Sequence, residues 1–91
     1  MSTIRIPPVL RENTGGSRMV DVSGSTVAEA LDHLFEKHPA LRDRVTEDGA
    51  LSRFINVYVN DRDVRYRDGL ETAIGNDDTV ILLPAMAGGS R

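Results

Sequence analysis

Apolar and polar residues alternate at both ends of this chain and recur with helical spacing once between them. Thr3 to Ile6 places Ile4 and Ile6 on one face and Thr3 and Arg5 on the other, which predicts a half-buried strand ending at Pro7-Pro8. Val9 and Leu10 can pack as the chain leaves it. Asn13-Thr14-Gly15-Gly16 predicts a turn, because glycine takes positive φ at no steric cost. Arg18 to Ser23 predicts a second strand with Val20 and Val22 inward, so the first two strands form a hairpin. Thr26 and Glu29 then fit a capping box, each satisfying a free N–H of the first helical turn. Val27, Ala30, Leu31, Leu34 and Phe35 come next, at the spacing of one helix face. Pro39 disfavours helical geometry at His38 and stops the element near there. Leu41 and Val45 are expected to cover the helix end, in an irregular segment reaching Gly49.

The second half is richer in strand patterns. Phe54 to Asn60 alternates, with Ile55, Val57 and Val59 against Phe54, Asn56 and Tyr58. After an Asn60-Asp61 turn, Val64 and Tyr66 alternate with Arg65 and Arg67, which predicts a short strand. Leu70 to Ile74 predicts one helical turn closing the core. Thr79 to Leu83 is a continuous apolar run, the composition of a buried strand, and Pro84 ends its ladder because it has no N–H. The order is strand, strand, helix, strand, strand, strand, and one helix covers only one face of such a sheet. In the last strand Val80 and Leu82 face opposite to Ile81 and Leu83, and both pairs are apolar. One pair enters the core. The other lies on the open face, either as a partner surface or under a loop. The partner surface is placed on Phe54, Tyr58, Val80, Leu82 and Met86.

Composition narrows the function. Ninety-one residues make one small domain. The absence of cysteine removes disulfides, thiol nucleophiles and thiolate metal sites, and fits a reducing, cytoplasmic setting. The N-terminus turns polar too early for a signal peptide, and no apolar run reaches a membrane span. A net charge of −3 argues against nucleic acid as the main partner and is compatible with an acidic protein docking on a basic face of an enzyme. His33 and His38 do not share a helix face and read as solvated or capping groups rather than metal ligands. Asp61, Asp63, Asp77 and Asp78 read as turn residues. Arg62, Arg65 and Arg67 are either a docking patch or a charged edge that deters strand addition. No arrangement of carboxylates, hydroxyls or histidines suggests an independent enzyme.

The tail carries the most specific signal. Beyond Pro84 the chain reads Ala85-Met86-Ala87-Gly88-Gly89-Ser90-Arg91, with nothing after Met86 large enough to anchor it in a core. The expected organisation is a domain over residues 1–84 and a flexible tail over 85–91. Backbone without Cβ atoms at Gly88 and Gly89 can thread a channel closed to other residues.

With Ile6-Pro7, Leu10-Arg11, Thr14-Gly15-Gly16, Arg53 to Asn60, Asp63 to Arg65, Gly69 to Ile74 and Val80 to Gly89, the chain resembles the ubiquitin-like β-grasp sulfur carriers of the ThiS and MoaD group. Within them it resembles the CysO-type carriers of cysteine biosynthesis. The resemblance implies an α+β, β-grasp fold with a mixed sheet of four to five strands and one main helix on one face. It implies a carrier rather than an enzyme, with no bound cofactor. An E1-like adenylyltransferase would use ATP and Mg to adenylate Gly89, and sulfide or a sulfur donor would then leave a thiocarboxylate. Ala87, Gly88 and Gly89 would thread the partner active sites. A cysteine-synthase-like PLP enzyme would take the sulfur, and a zinc metallopeptidase would process the tail. The family's active form ends at Gly-Gly, so Ser90 and Arg91 are expected to be cleaved. Rival functions are a protein modifier joined through Gly89 to lysines, the small subunit of molybdopterin synthase, and an interaction module with an idle tail.

Overall fold

The computed structural model describes residues 2–85. Five strands form one mixed sheet, in spatial order β2 (Met19–Val22), β1 (Ser2–Arg5), β7 (Thr79–Pro84), β5 (Ile55–Val59) and β6 (Arg62–Asp63), with a separate hairpin of β3 (Thr46–Glu47) and β4 (Ala50–Leu51). β1 (Ser2–Arg5) and β2 (Met19–Val22) pair antiparallel. β7 (Thr79–Pro84) lies at the centre, parallel to β1 and antiparallel to β5 (Ile55–Val59). The helix α1 (Val27–Lys37) covers one face. Its buried residues are Val27, Ala30, Leu31, Leu34 and Phe35, the five of the apolar stripe. They meet Ile4, Val20, Val22, Val57, Val59, Val80 and Leu82 in a single core. This is the α+β, β-grasp architecture that the resemblance implies.

The connections show where local chemistry decides. Pro8–Thr14 is a 3-10 turn that buries Leu10 and leaves Val9 exposed. It closes on Gly15 and Gly16 at φ of 67° and 92°, a backbone that L side chains rarely adopt. At the start of α1, the Thr26 hydroxyl accepts from the Glu29 N–H at 3.2 Å. The Glu29 carboxylate reaches one residue further back than the capping box predicts and accepts from the N–H of Ser25 at 2.8 Å. The N–H of Val27 donates instead to the Thr72 carbonyl at 3.0 Å. Thr72 is therefore fully buried, and the segment after the Gly69–Glu71 3-10 turn props the helix N-terminus. The helical turn expected at Leu70 to Ile74 is thus shorter and ends at Glu71, and Ile74 joins the core with its N–H donating to the Ser25 carbonyl at 3.0 Å.

Two further expectations change. The segment before Gly49 is not irregular throughout. It holds a 3-10 turn (Pro39–Leu41), the single-turn helix α2 (Arg42–Val45) and the hairpin of β3 (Thr46–Glu47) and β4 (Ala50–Leu51). Leu41 and Val45 are fully buried, as expected of a lid on the helix end. The strand expected at Val64 to Tyr66 is a 3-10 turn, and the strand β6 is only Arg62–Asp63. Asp63 ends it, because its carboxylate accepts from the Arg65 N–H at 2.9 Å and caps the turn. Val64 is buried, but Tyr66 is 86% exposed rather than facing inward.

Candidate functional site

The central strand β7 delivers the chain to the tail, and both of its ends are fixed. At its start, Asp78 accepts from the Gly75 N–H at 2.8 Å and from the Asn60 side chain at 3.1 Å. Those bonds, the Gly75 one first, hold the Asp78 carboxyl below its ordinary value. The Asn60 side-chain oxygen accepts in turn from the Thr79 N–H at 3.1 Å. At the other end, Pro84 stands opposite Ile55, and the Ala85 N–H donates to the Phe54 carbonyl at 2.8 Å. The ladder therefore holds the chain through Ala85. Met86, Ala87, Gly88, Gly89, Ser90 and Arg91, with the threading and cleavage expected of them, lie outside the described residues.

The sheet face opposite α1 carries an apolar patch beside this exit. Phe54 and Leu83 are 49% and 40% exposed, and Tyr58 and Ile81 are half-buried. The register sets Tyr58 opposite Ile81 and Asn56 opposite Leu83 on β5 and β7. Ile81 also stands opposite Arg5 on β1, and Arg5 opposite exposed Met19 on β2. Val80 and Leu82 do not belong to this surface. Their exposures are 0% and 1%, and they stand opposite Val59 and Val57 on the face under α1. Val80 and Leu82, expected on the open face, are therefore closed to any partner, and the pair of this strand on the open face is Ile81 and Leu83. The reason is register: Ile4 and Ile6 fix which face of β1 is inward, and parallel pairing of Ile4 with Val80 carries that choice into β7.

The remaining candidate groups have structural partners. The Ser23 N–H donates to His33 Nδ1 at 2.8 Å, and His38 caps the C-terminus of α1. Among the described residues no cluster of three or more His, Asp or Glu is placed to hold a metal ion. Arg65 pairs with Asp63 at 2.9 Å, so it does not combine freely with exposed Arg62 and Arg67 into one patch. The Arg65 side chain holds the Asp63 carboxyl below the usual range, against the opposing effect of burial. Sequence reasoning missed Arg53, whose guanidinium lies over the Phe54 ring, 5.5 Å from its centroid. Its adjacency to an aromatic at a strand start was the available signal. No helix among the described residues is long and apolar enough to cross a membrane.

With this geometry in place, the sequence profile of the ThiS family matches residues 4–89. The chain belongs to the ThiS family. Within it, the chain is 43% identical over 90 residues to the sulfur carrier protein CysO of Mycobacterium tuberculosis, spanning 96% of this chain and 97% of the relative. The fold superposes on a chain of the BexX/CysO complex of Amycolatopsis orientalis with a TM-score of 0.90 and 45% identity, covering 98% of this chain and 100% of that one. Small archaeal modifier protein 1 of Haloferax volcanii is 45% identical over 78 residues, 81% of this chain and 85% of the relative. Membership of the ThiS family gives this chain a sulfur carrier role, as a carrier rather than a catalyst.

Proposed function

We propose that this protein carries sulfur as a thiocarboxylate on Gly89, most directly for cysteine biosynthesis. The observation that carries this function is the family match, which runs through β7 and stops at Gly89, leaving Ser90 and Arg91 beyond it. While Gly89 is joined to Ser90 its carbonyl is an amide, so a peptidase, by analogy a zinc enzyme, must first remove the Ser90-Arg91 dipeptide.

The freed carboxylate oxygen then attacks the α-phosphorus of ATP held with Mg in an E1-like enzyme, and pyrophosphate leaves. The resulting acyl-adenylate is a strong electrophile. Hydrosulfide adds to its carbonyl carbon, AMP departs, and the thiocarboxylate is left. A cysteine-synthase-like enzyme would accept that sulfur onto a bound aminoacrylate derived from a phosphorylated serine. The acid–base groups and cofactors belong to these partners, and the ATP and reduced sulfur they need place the cycle in the cytoplasm. The carrier supplies the slim reacting end, a rigid strand behind it, and a docking face of Phe54, Tyr58, Ile81 and Leu83, to which Met86 adds the next apolar side chain in sequence. Ala87, Gly88 and Gly89 are narrow enough to pass along a channel that excludes water from the adenylate.

Reconstitution tests this directly. The chain ending at Gly89, with an E1-like enzyme and MgATP, should support pyrophosphate exchange, and adding sulfide should replace one oxygen by sulfur in the intact mass. The chain ending at Arg91 should do neither. Gly89→Ala in the shortened chain should slow exchange roughly tenfold to a hundredfold, because a misplaced reacting group loses its alignment. Exchange by the unshortened chain, or normal turnover of Gly89→Ala, would overturn the scheme.

The likeness to a small archaeal modifier protein supports a second function, conjugation of Gly89 to protein lysines. Carriage of sulfur is preferred because the CysO likeness spans more of the chain.

A further inference from the structure

The chain as a whole is acidic, with a net charge of −3, but the end of the sheet from which β7 leads out is basic. Arg5 is the last residue of β1 and stands opposite Ile81. Arg11 donates through Nε to the Ile6 carbonyl at 3.1 Å, which fixes its side chain just beyond β1. The Arg18 carbonyl accepts from the Ile6 N–H at 2.8 Å, so that residue lies across from the same point. Arg53 stacks on Phe54, whose carbonyl tethers Ala85. Glu12 is the one carboxylate within the Pro8–Thr14 turn beside them. Glu29, Asp32 and Glu36 lie exposed on α1, on the other side of the sheet. Among the described residues, the guanidinium groups of Arg5 and Arg18 have no ion pair or hydrogen bond.

A groove of about 180 Å³ opens at this end. It exists because β1 stops pairing at Arg5 while β7 continues to Pro84. Its apolar lining includes Pro7, Pro8, Ile81 and Leu83, and its charged lining residues are Arg5 and Arg11. The volume is below the roughly 300–1,000 Å³ of small-molecule sites. It suits one side chain, not a nucleotide.

We propose that this groove receives an Asp or Glu side chain from the rim of the enzyme that activates Gly89, so that the carrier docks by its basic end onto an acidic lip. This inference rests on the activation of Gly89 proposed above. Guanidinium groups bind carboxylates through short, charge-assisted hydrogen bonds. The same attraction would steer the tail toward the channel before contact. Net charge predicts the reverse polarity, an acidic carrier on a basic face; the local placement of arginines overrides it.

Two measurements test the groove. In pyrophosphate exchange with the chain ending at Gly89, Arg5→Glu should raise the KM for carrier about tenfold with kcat unchanged. Added salt should raise the KM of the wild type and not that of Arg5→Glu. Arg5→Lys should fall between them, and Arg44→Glu, on α2, should match the wild type. Equal effects of Arg5→Glu and Arg44→Glu, or no effect of Arg5→Glu, would overturn the proposal. If the wild-type carrier is not activated at all, Gly89 activation fails, and the groove is judged by binding alone. Titration of the full chain with the capped peptide Gly-Leu-Glu-Leu-Gly should shift the NMR signals of Arg5 Nε–H and the Ile81 and Leu83 amides. The Gln version of the peptide, and the Arg5→Glu chain, should give no such shifts. Absence of the shifts in the wild type contradicts the groove assignment.

Discussion

Val80 and Leu82 share a strand with Ile81 and Leu83, and the two pairs are nearly identical in chemistry, yet one pair is core and the other is surface. The inward pair is sealed between the sheet and α1. The outward pair faces solvent beside the tail, with Tyr58, Asn56 and Arg5 as cross-strand neighbours. An apolar residue in a strand thus shows that the strand is well suited to a sheet, not which side it buries. An outward pair this apolar, continuous with Phe54, is the docking face proposed above.

The sharpest way to break this comparison is to truncate one leucine from each face. Leu82→Ala should destabilise the fold by about 2–5 kcal/mol, the range for a cavity in a packed core. Leu83→Ala should cost under about 1 kcal/mol, as at other surface positions. Urea unfolding monitored by circular dichroism measures both, and equal losses would erase the distinction between the faces.

The outward pair should matter instead to partners. Leu83→Asp and Phe54→Ala should each weaken docking by roughly 1–2 kcal/mol, about tenfold in the KM for carrier, as for central interface residues. Their unfolding midpoints should stay near wild type. A normal KM in both variants would leave the open face without a function.

The smallest effect lies at the edge of the open face, where Asp63 stands opposite Tyr58. Arg65 holds the Asp63 carboxyl low, so its stabilisation is present above the unfolded value of about 3.9 and is lost as pH falls through the lower folded value. Asp63→Asn should therefore cost roughly 0.5–1.5 kcal/mol at neutral pH. The gap from wild type should close below about pH 4. Stability curves at several pH values check it, and a gap that persists into acid would mean that the Arg65 pairing is not its source.

Most of the fold was legible because its signals are local. The helix stripe from Val27 to Phe35, the alternation of Ile55 to Val59 and the glycine turn after Thr14 all form as their spacing predicts. The β3-β4 hairpin was missed although it turns on Asp48-Gly49, both at positive φ, a strong two-residue hairpin signal. Strands of two residues are too short for alternation to announce them. Val64 to Tyr66 misled because a real alternation was overridden by Asp63 capping the turn. The face chosen by β7 was beyond local reading: it depends on pairing with β1, at the opposite end of the chain. The basic exit was hidden for the same reason, since Arg5, Arg11, Arg18 and Arg53 are scattered in sequence and come to one end of the sheet only when its strands pair. The tail is read from composition alone, from Gly88-Gly89 after a strand ending in proline, and it lies outside the described residues.

The most direct measurement is the intact mass of this protein isolated from the cells that make it. Sulfur carriage predicts a chain ending at Gly89, with a fraction in which sulfur has replaced one terminal oxygen and which is converted by a thiol-alkylating reagent. A population that always retains Ser90 and Arg91, or one found at Gly89 only in conjugates with other proteins, would contradict it.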